Sequence, residues 1–122
     1  MRYIHKPCIL FLLATIMLVS CSDEYDYRKT EKILTKQCWE IITMVDYSQN
    51  QTAEFRTVTY SFHNDNTLYK IYENNDTVFT VWELSTDAQY LTIGPNTFRI
   101  TELTNRVLSL RYGEVELFFA SK

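Results

Sequence analysis

Residues 38–122 predict an all-β fold: an antiparallel meander of about eight strands that closes into a small barrel. Three observations carry that reading. From Trp39 onward apolar and polar residues alternate with the period of two that marks a half-buried strand. Clusters of Asn, Asp, Gly and Pro interrupt the alternation at short intervals. The links between runs are too short for parallel crossovers, which need about a dozen residues. A two-sheet sandwich could use the same strands. Closure into a barrel is preferred because it removes the open strand edges.

The runs follow one another in order. Trp39–Val45 is the first. Phe55–Phe62 is the clearest, with Val58, Tyr60 and Phe62 on one face and Thr57, Thr59 and Ser61 on the other. His63-Asn64-Asp65-Asn66 then reads as a turn, because Asn and Asp tolerate left-handed backbone and bond to it locally. Thr67–Glu73 is the next strand and Asn74-Asn75-Asp76 the next turn. Thr77–Leu84 places Val78, Trp82 and Leu84 on one side. The polar segment Ser85–Gln89 breaks the pattern, and Tyr90–Ile93 resumes it with Leu91 and Ile93 inward. Gly94-Pro95-Asn96 turns the chain into Thr97–Leu103, where Phe98 and Ile100 face in. Arg106–Tyr112 sets Leu108 and Leu110 inward, and Gly113 leads to Glu114–Phe119 with Val115, Leu117 and Phe119 inward.

The segment before the barrel has a different character. Arg2 and Lys6 form a basic start, and Ile9–Val19 is an apolar run of about 11 residues. That suits the core of a secretory signal, about 7–15 residues, and falls short of the roughly 20 that span a bilayer. Leu18-Val19-Ser20-Cys21 resembles the bacterial lipobox. The resemblance implies cleavage before Cys21, acylation of its thiol and usually of its new amino group. Residues 1–20 are thus expected to be a signal peptide and 21–37 a lipidated Cys followed by a polar tether. Two or three acyl chains, palmitate among them, give stable membrane anchoring where one is marginal. Ser22-Asp23-Glu24-Tyr25-Asp26 resembles the acidic stretch that follows the lipid-bearing Cys in surface-exposed Bacteroidetes lipoproteins. It implies residence in the outer membrane, with exposure at the cell surface as an option. Residues 22–27 read as acidic tether, and residues 28–37 as a polar stretch with a short helical turn around Ile33 and Leu34.

Composition narrows the function classes. Without Arg2 and Lys6 the mature chain keeps 10 Lys and Arg against 15 Asp and Glu, a balance of −5. No basic patch interrupts this, so nucleic acid is excluded as a partner. The acidic balance also disfavours adhesion to anionic lipid, leaving the acyl chains to supply the membrane contact. Of three cysteines, Cys8 leaves with the signal and Cys21 is acylated, so Cys38 has no intramolecular partner. The domain must be held by packing. Both Trp, eight of nine Tyr and six of seven Phe follow the signal, and each buries about 150–250 Å².

No catalytic or metal constellation is legible. His63 stands alone in a turn, whereas a metal site needs several converging ligands. Cys38 has no His to pair with and reads as a packed thiol, an intermolecular disulfide being the lesser option. Glu114 and Glu116 read as solvated charges on the outer face, and Glu83 and Glu102 fall opposite the core pattern. No cofactor motif occurs. The expectation is therefore a non-enzyme without cofactor or metal.

The region from Cys38 to Lys122 resembles the small lipocalin-like domains of Bacteroidetes lipoproteins. The residues that carry the resemblance are Trp39-Glu40-Ile41, Tyr60-Ser61-Phe62-His63-Asn64-Asp65-Asn66, Trp82-Glu83-Leu84 and Tyr90-Leu91-Thr92-Ile93. Phe98-Arg99-Ile100-Thr101-Glu102-Leu103-Thr104 and Leu108-Ser109-Leu110 complete it. Gln37 stands where lipocalin-like chains usually carry Gly, and Asn-Asp-Asn replaces a Gly-containing hairpin. The resemblance implies a lipocalin-like barrel that binds a small apolar ligand. Trp39, Tyr60, Phe62, Tyr72, Trp82 and Phe98 are the candidate lining. The same aromatics could instead fill the barrel, leaving a structural or interaction subunit of an envelope protein assembly.

Overall fold

The computed structural model describes residues 25–54 and 58–122. The expected signal peptide 1–20, Cys21 and residues 22–24 of the expected tether lie outside the described residues. Among the described residues, one helix, α1 (residues 25–36), precedes nine strands. These are β1 (Cys38–Asp46), β2 (Gln51–Glu54), β3 (Val58–Phe62), β4 (Thr67–Tyr72), β5 (Thr77–Leu84), β6 (Tyr90–Ile93), β7 (Asn96–Leu103), β8 (Val107–Tyr112) and β9 (Val115–Ser121).

All pairings are antiparallel, and the order β1-β3-β4-β5-β6-β7-β8-β9 returns to β1. Eight strands thus form a closed barrel. The ninth, β2, pairs with Thr43–Asp46 of β1, while β3 pairs with Cys38–Glu40. Strand β9 runs along β1 from Trp39 to Asp46 and takes one edge of it. Strands β2 and β3 must therefore share the other edge. The sequence expectation of one run from Phe55 to Phe62 becomes β3 preceded by this extra short strand; residues 55–57 are outside the described residues.

The inner face is read from burial and register together. Ile41, Tyr60, Phe62, Leu68, Leu84, Leu91, Ile93, Leu108, Leu110 and Phe119 are buried with Trp39 and Trp82 in one core. Two shifts of register interrupt the alternation, one between Ile41 and Thr43 and one between Ile100 and Glu102. Each inserts one residue, so Met44 follows Ile41 inward and Leu103 follows Ile100 inward. Such bulges bend a strand and tighten its twist, which helps a short sheet close on itself.

The turns work as their residues require. Asn66 and Asn75 hold φ of 68° each, and Gly113 holds 58°. Gly94, also at φ 58°, lies so close to β5 that an added Cβ would sit 3.2 Å from Thr80 Oγ1.

In place of a short helical turn within 28–37, helix α1 runs over residues 25–36 and absorbs residues 25–27 of the expected tether. The reason is packing. Leu34 is fully buried in the barrel core, and Tyr27 and Ile33 pack against that core. Trp39 Nε1 donates to Leu34 O at 3.2 Å, tying the helix end to the first barrel strand. The helix thus closes the barrel end formed by the start of β1, the end of β3 and the end of β5. Replacing Leu34 with Ala should lower the unfolding free energy by about 2–5 kcal/mol in urea titrations, because its site is fully enclosed.

Candidate functional site

The six candidate aromatics all point into the barrel, but they do not share one cavity. Trp39, Phe62 and Trp82 are 0%, 1% and 3% exposed and fill the end that α1 covers. Phe62 and Trp82 meet edge to face at 5.4 Å, and Trp82 Nε1 donates to His63 O at 2.9 Å. Their polar atoms are spent on the protein itself. Tyr72 and Phe98 lie toward the opposite end, and Tyr60, paired in register with Trp39, sits between. Tyr60 is nearly buried and packs edge-on against Phe119 at 5.1 Å. Tyr72 is 39% exposed, and Phe98 leans on Tyr112 with ring centroids 5.6 Å apart.

That opposite end is open. It is bounded by the β4–β5, β6–β7 and β8–β9 hairpins and by the end of β1. Inner-face residues there become progressively exposed: Val58 is half-buried, Tyr72 exposed, Val78 48% and Tyr112 52% exposed. A depression of about 750 Å³ opens beside the β4–β5 hairpin, lined by Tyr72, Glu73, Asn74, Asp76 and Val78. A smaller one of about 250 Å³ lies between β1 and β2, lined by Met44, Asp46, Gln51, Thr52 and Ala53.

Lys70 is a mouth residue that the aromatic pattern does not reveal. Register places it on the inner face between Tyr60 and Val78. Its ammonium stands 5.3 Å from the Tyr60 ring centroid. Burial, with a smaller push from the Tyr72 phenol, raises the Tyr60 phenol above its ordinary value, so it stays neutral and able to donate at neutral pH.

Two expectations need correction. Glu116 is not solvated: it is only 8% exposed, although it lies on the outer face. Tyr47 folds back from the turn after β1, and its hydroxyl donates to Glu116 Oε1 at 2.7 Å. Thr101, the extra residue of the β7 bulge, donates to Glu116 Oε2 at 2.6 Å. Arg111 lies over the Tyr47 ring at 4.6 Å and completes the cover. Burial opposes the charge on Glu116. The hydrogen bonds from Thr101 and Tyr47, aided by Arg111 and Arg99, outweigh it and hold the carboxyl below its ordinary 4.5. Cys38 is not packed but exposed. It alternates with inward Trp39 and pairs with Ser61, so its side chain falls outside. Glu83, Glu102 and Glu114 are exposed, as their spacing implies.

His63 stacks on Tyr69 at 4.2 Å and its Nε2 lies 3.2 Å from Ser61 Oγ. Among the described residues no group of three or more His, Cys, Asp or Glu gathers to hold a metal. The hydroxyl of Ser109 on β8 is enclosed and has no hydrogen-bond partner.

Neither the known protein families nor the curated proteins contain a match to this sequence. Two solved structures share its architecture. A lipocalin-like protein from Bacteroides uniformis superposes with a TM-score of 0.60 at 14% identity, covering 74% of this chain and 99% of that one. An uncharacterized protein from Bacteroides eggerthii gives 0.58 at 12% identity, covering 70% and 98%. At such identities the likeness concerns the fold: this chain is a lipocalin-like barrel.

The Glu116 network yields a signed pH dependence. A carboxyl held low when folded takes its proton more readily when unfolded. Its contribution is full above pH 4.5 and fades as pH falls through the folded value. Glu116→Gln should cost about 1–3 kcal/mol at neutral pH in urea melts. The gap to the unmodified protein should narrow as pH falls below 4.5.

Proposed function

We propose that this protein is an envelope lipoprotein whose lipocalin-like barrel binds a small apolar ligand at its open end and performs no catalysis. The observation that carries the reading is the asymmetry of the barrel. One end is filled by Trp39, Phe62 and Trp82 beneath α1, while the other exposes Tyr72, Val78 and Tyr112, the first two of them lining a depression of about 750 Å³. Apolar side chains with a few polar atoms around a concavity are what small-molecule sites use. The lining proposed here is narrower than the six aromatics: Tyr60, Tyr72 and Phe98, with Val78 and Tyr112. Native mass spectrometry of the purified protein is the direct test. A reproducible added mass that leaves on denaturation is the expected result. A bare mass after exposure to bacterial lipid extract counts against ligand binding.

The Cys21 anchor belongs to the same proposal and rests on the lipobox-like Leu18-Val19-Ser20-Cys21. Acylation would tether the barrel to the outer membrane, with the acidic segment favouring the cell surface. Cys21→Ala should abolish labelling by an alkyne-tagged palmitate analogue and leave the precursor uncleaved on gels. Labelling that persists would refute the assignment.

A second reading is an interaction subunit of an envelope assembly. It is favoured by Phe79 and Val81, which are 65% and 64% exposed on the outer face of β5. Beside them, β5 pairs with β6 only from Trp82 to Leu84. This reading gains if the barrel is found empty.

A further inference from the structure

Lys70 is the one cation on the inner face among the described residues. Every other charged side chain in the barrel strands alternates outward, except Asp46 at the rim, whose Oδ1 is held by the Ser48 amide and hydroxyl at 3.0 and 2.6 Å. Lys70 pairs in register with Tyr60 on β3 and Val78 on β5, and both neighbours are inward. Its ammonium faces the Tyr60 ring at 5.3 Å, and no carboxylate of a described residue is within ion-pair distance. An inward lysine at half depth gives up part of its hydration. A ring face returns only a fraction of that.

Position along β4 makes the lysine the floor of the mouth. Leu68 below it is fully buried, Lys70 is half-buried and Tyr72 above it is exposed. One step of two residues, about 7 Å, separates floor from rim. That depth admits a short chain or a single ring, not a long tail.

We infer that the mouth takes a small amphiphile with one carboxylate, whose anionic end meets the Lys70 ammonium and whose apolar body lies against Tyr72 and Val78. The inference rests on the ligand-binding reading given above and names its ligand class. Above Lys70, at the rim, Glu73 and Asp76 line a depression together with Tyr72 and Val78. They repel polyanions, and the chain's net negative charge does so at longer range. A single charge that reaches the floor leaves these exposed acids in water and pairs with the lysine where the dielectric is lower. Charge-assisted hydrogen bonds of this kind are about twice as strong as neutral ones.

The test compares octanoate with 1-octanol, matched in length and differing in charge, by ligand-observed NMR titration of the purified protein. The protein should bind octanoate about tenfold or more tightly than octanol. Lys70→Met should remove that preference and leave octanol binding in place, with circular dichroism reporting the fold. Lys70→Arg should keep the preference. A merely structural lysine, packing its stem on Tyr60, predicts no preference in any variant. Equal binding of the two probes overturns the carboxylate inference and leaves a binding barrel standing. Binding of neither overturns both.

Discussion

The pairing of β1 with β9 governs everything else in this molecule. Trp39–Asp46 lies along Val115–Ser121 and joins the last strand to the first. Without it the chain is an open sheet with two exposed edges and one apolar face. With it, that face becomes an interior of fixed and small volume. A barrel of eight short strands encloses barely more than its own side chains. Two Trp and two fully enclosed Phe, Phe62 and Phe119, use most of that room, so the volume left for anything else lies at an end. The closing seam also builds the outer polar cluster. The bulges that let β1 and β7 curve bring Thr101 and the turn residue Tyr47 onto opposite oxygens of Glu116. A carboxylate on the outside of a barrel thereby becomes a buried, doubly bonded group.

Which end stays free follows from α1. The helix has one residue, Leu34, that enters the core completely, and one carbonyl that receives the Trp39 indole. A helix so short has little stability alone and depends on such tertiary contacts. It is thus stable only as a cover, and its presence makes the two ends chemically unlike. Deep aromatics at the covered end satisfy their N–H groups internally, Trp39 to Leu34 O and Trp82 to His63 O. At the open end Tyr72 and Tyr112 remain exposed and a lysine stands on the inner wall.

Much of this was legible in the residues, for a definite reason. Strand alternation and turn chemistry are local, and Val58-Tyr60-Phe62 or Leu108-Leu110 state their face without reference to the rest of the chain. Asn66 and Asn75 likewise announce left-handed turns. The bulges were half legible: Ile41 and Met44, or Ile100 and Leu103, are three apart, which a strict period of two cannot turn to one side. What could not be read was any property set by distant strands. Glu116 looks outward and therefore wet until Tyr47 is seen to fold over it. Cys38 looks packed because its neighbour is Trp39, yet adjacency in a strand means opposite faces. The six aromatics look like one lining because the sequence gives side but not depth, and depth separates Trp39, Phe62 and Trp82 from Tyr72 and Phe98. Lys70 was hidden for the same reason. A lysine between apolar residues reads as a polar interruption until its strand partners prove to be Tyr60 and Val78.

Depth is also what limits the chemistry such a barrel can do. Specificity in a concave site comes from a few polar groups placed against an apolar wall, and their value rises as water is excluded. Here the solid end sets the floor at the level of Tyr60 and Lys70, so a ligand bound as proposed would be covered on its sides but not engulfed. Contact area is then small, and shape alone cannot discriminate strongly, since one methylene more or less in an apolar site changes affinity by only about 1–3 kcal/mol. A charge at the floor changes that balance. It rewards one functional group at one depth, and leaves a half-buried charge unpaired opposite any ligand that lacks it. In a barrel whose size is fixed by β1–β9 closure and whose far end is occupied by α1, a polar group at the floor would be the remaining means of selecting among small apolar molecules under the ligand-binding proposal.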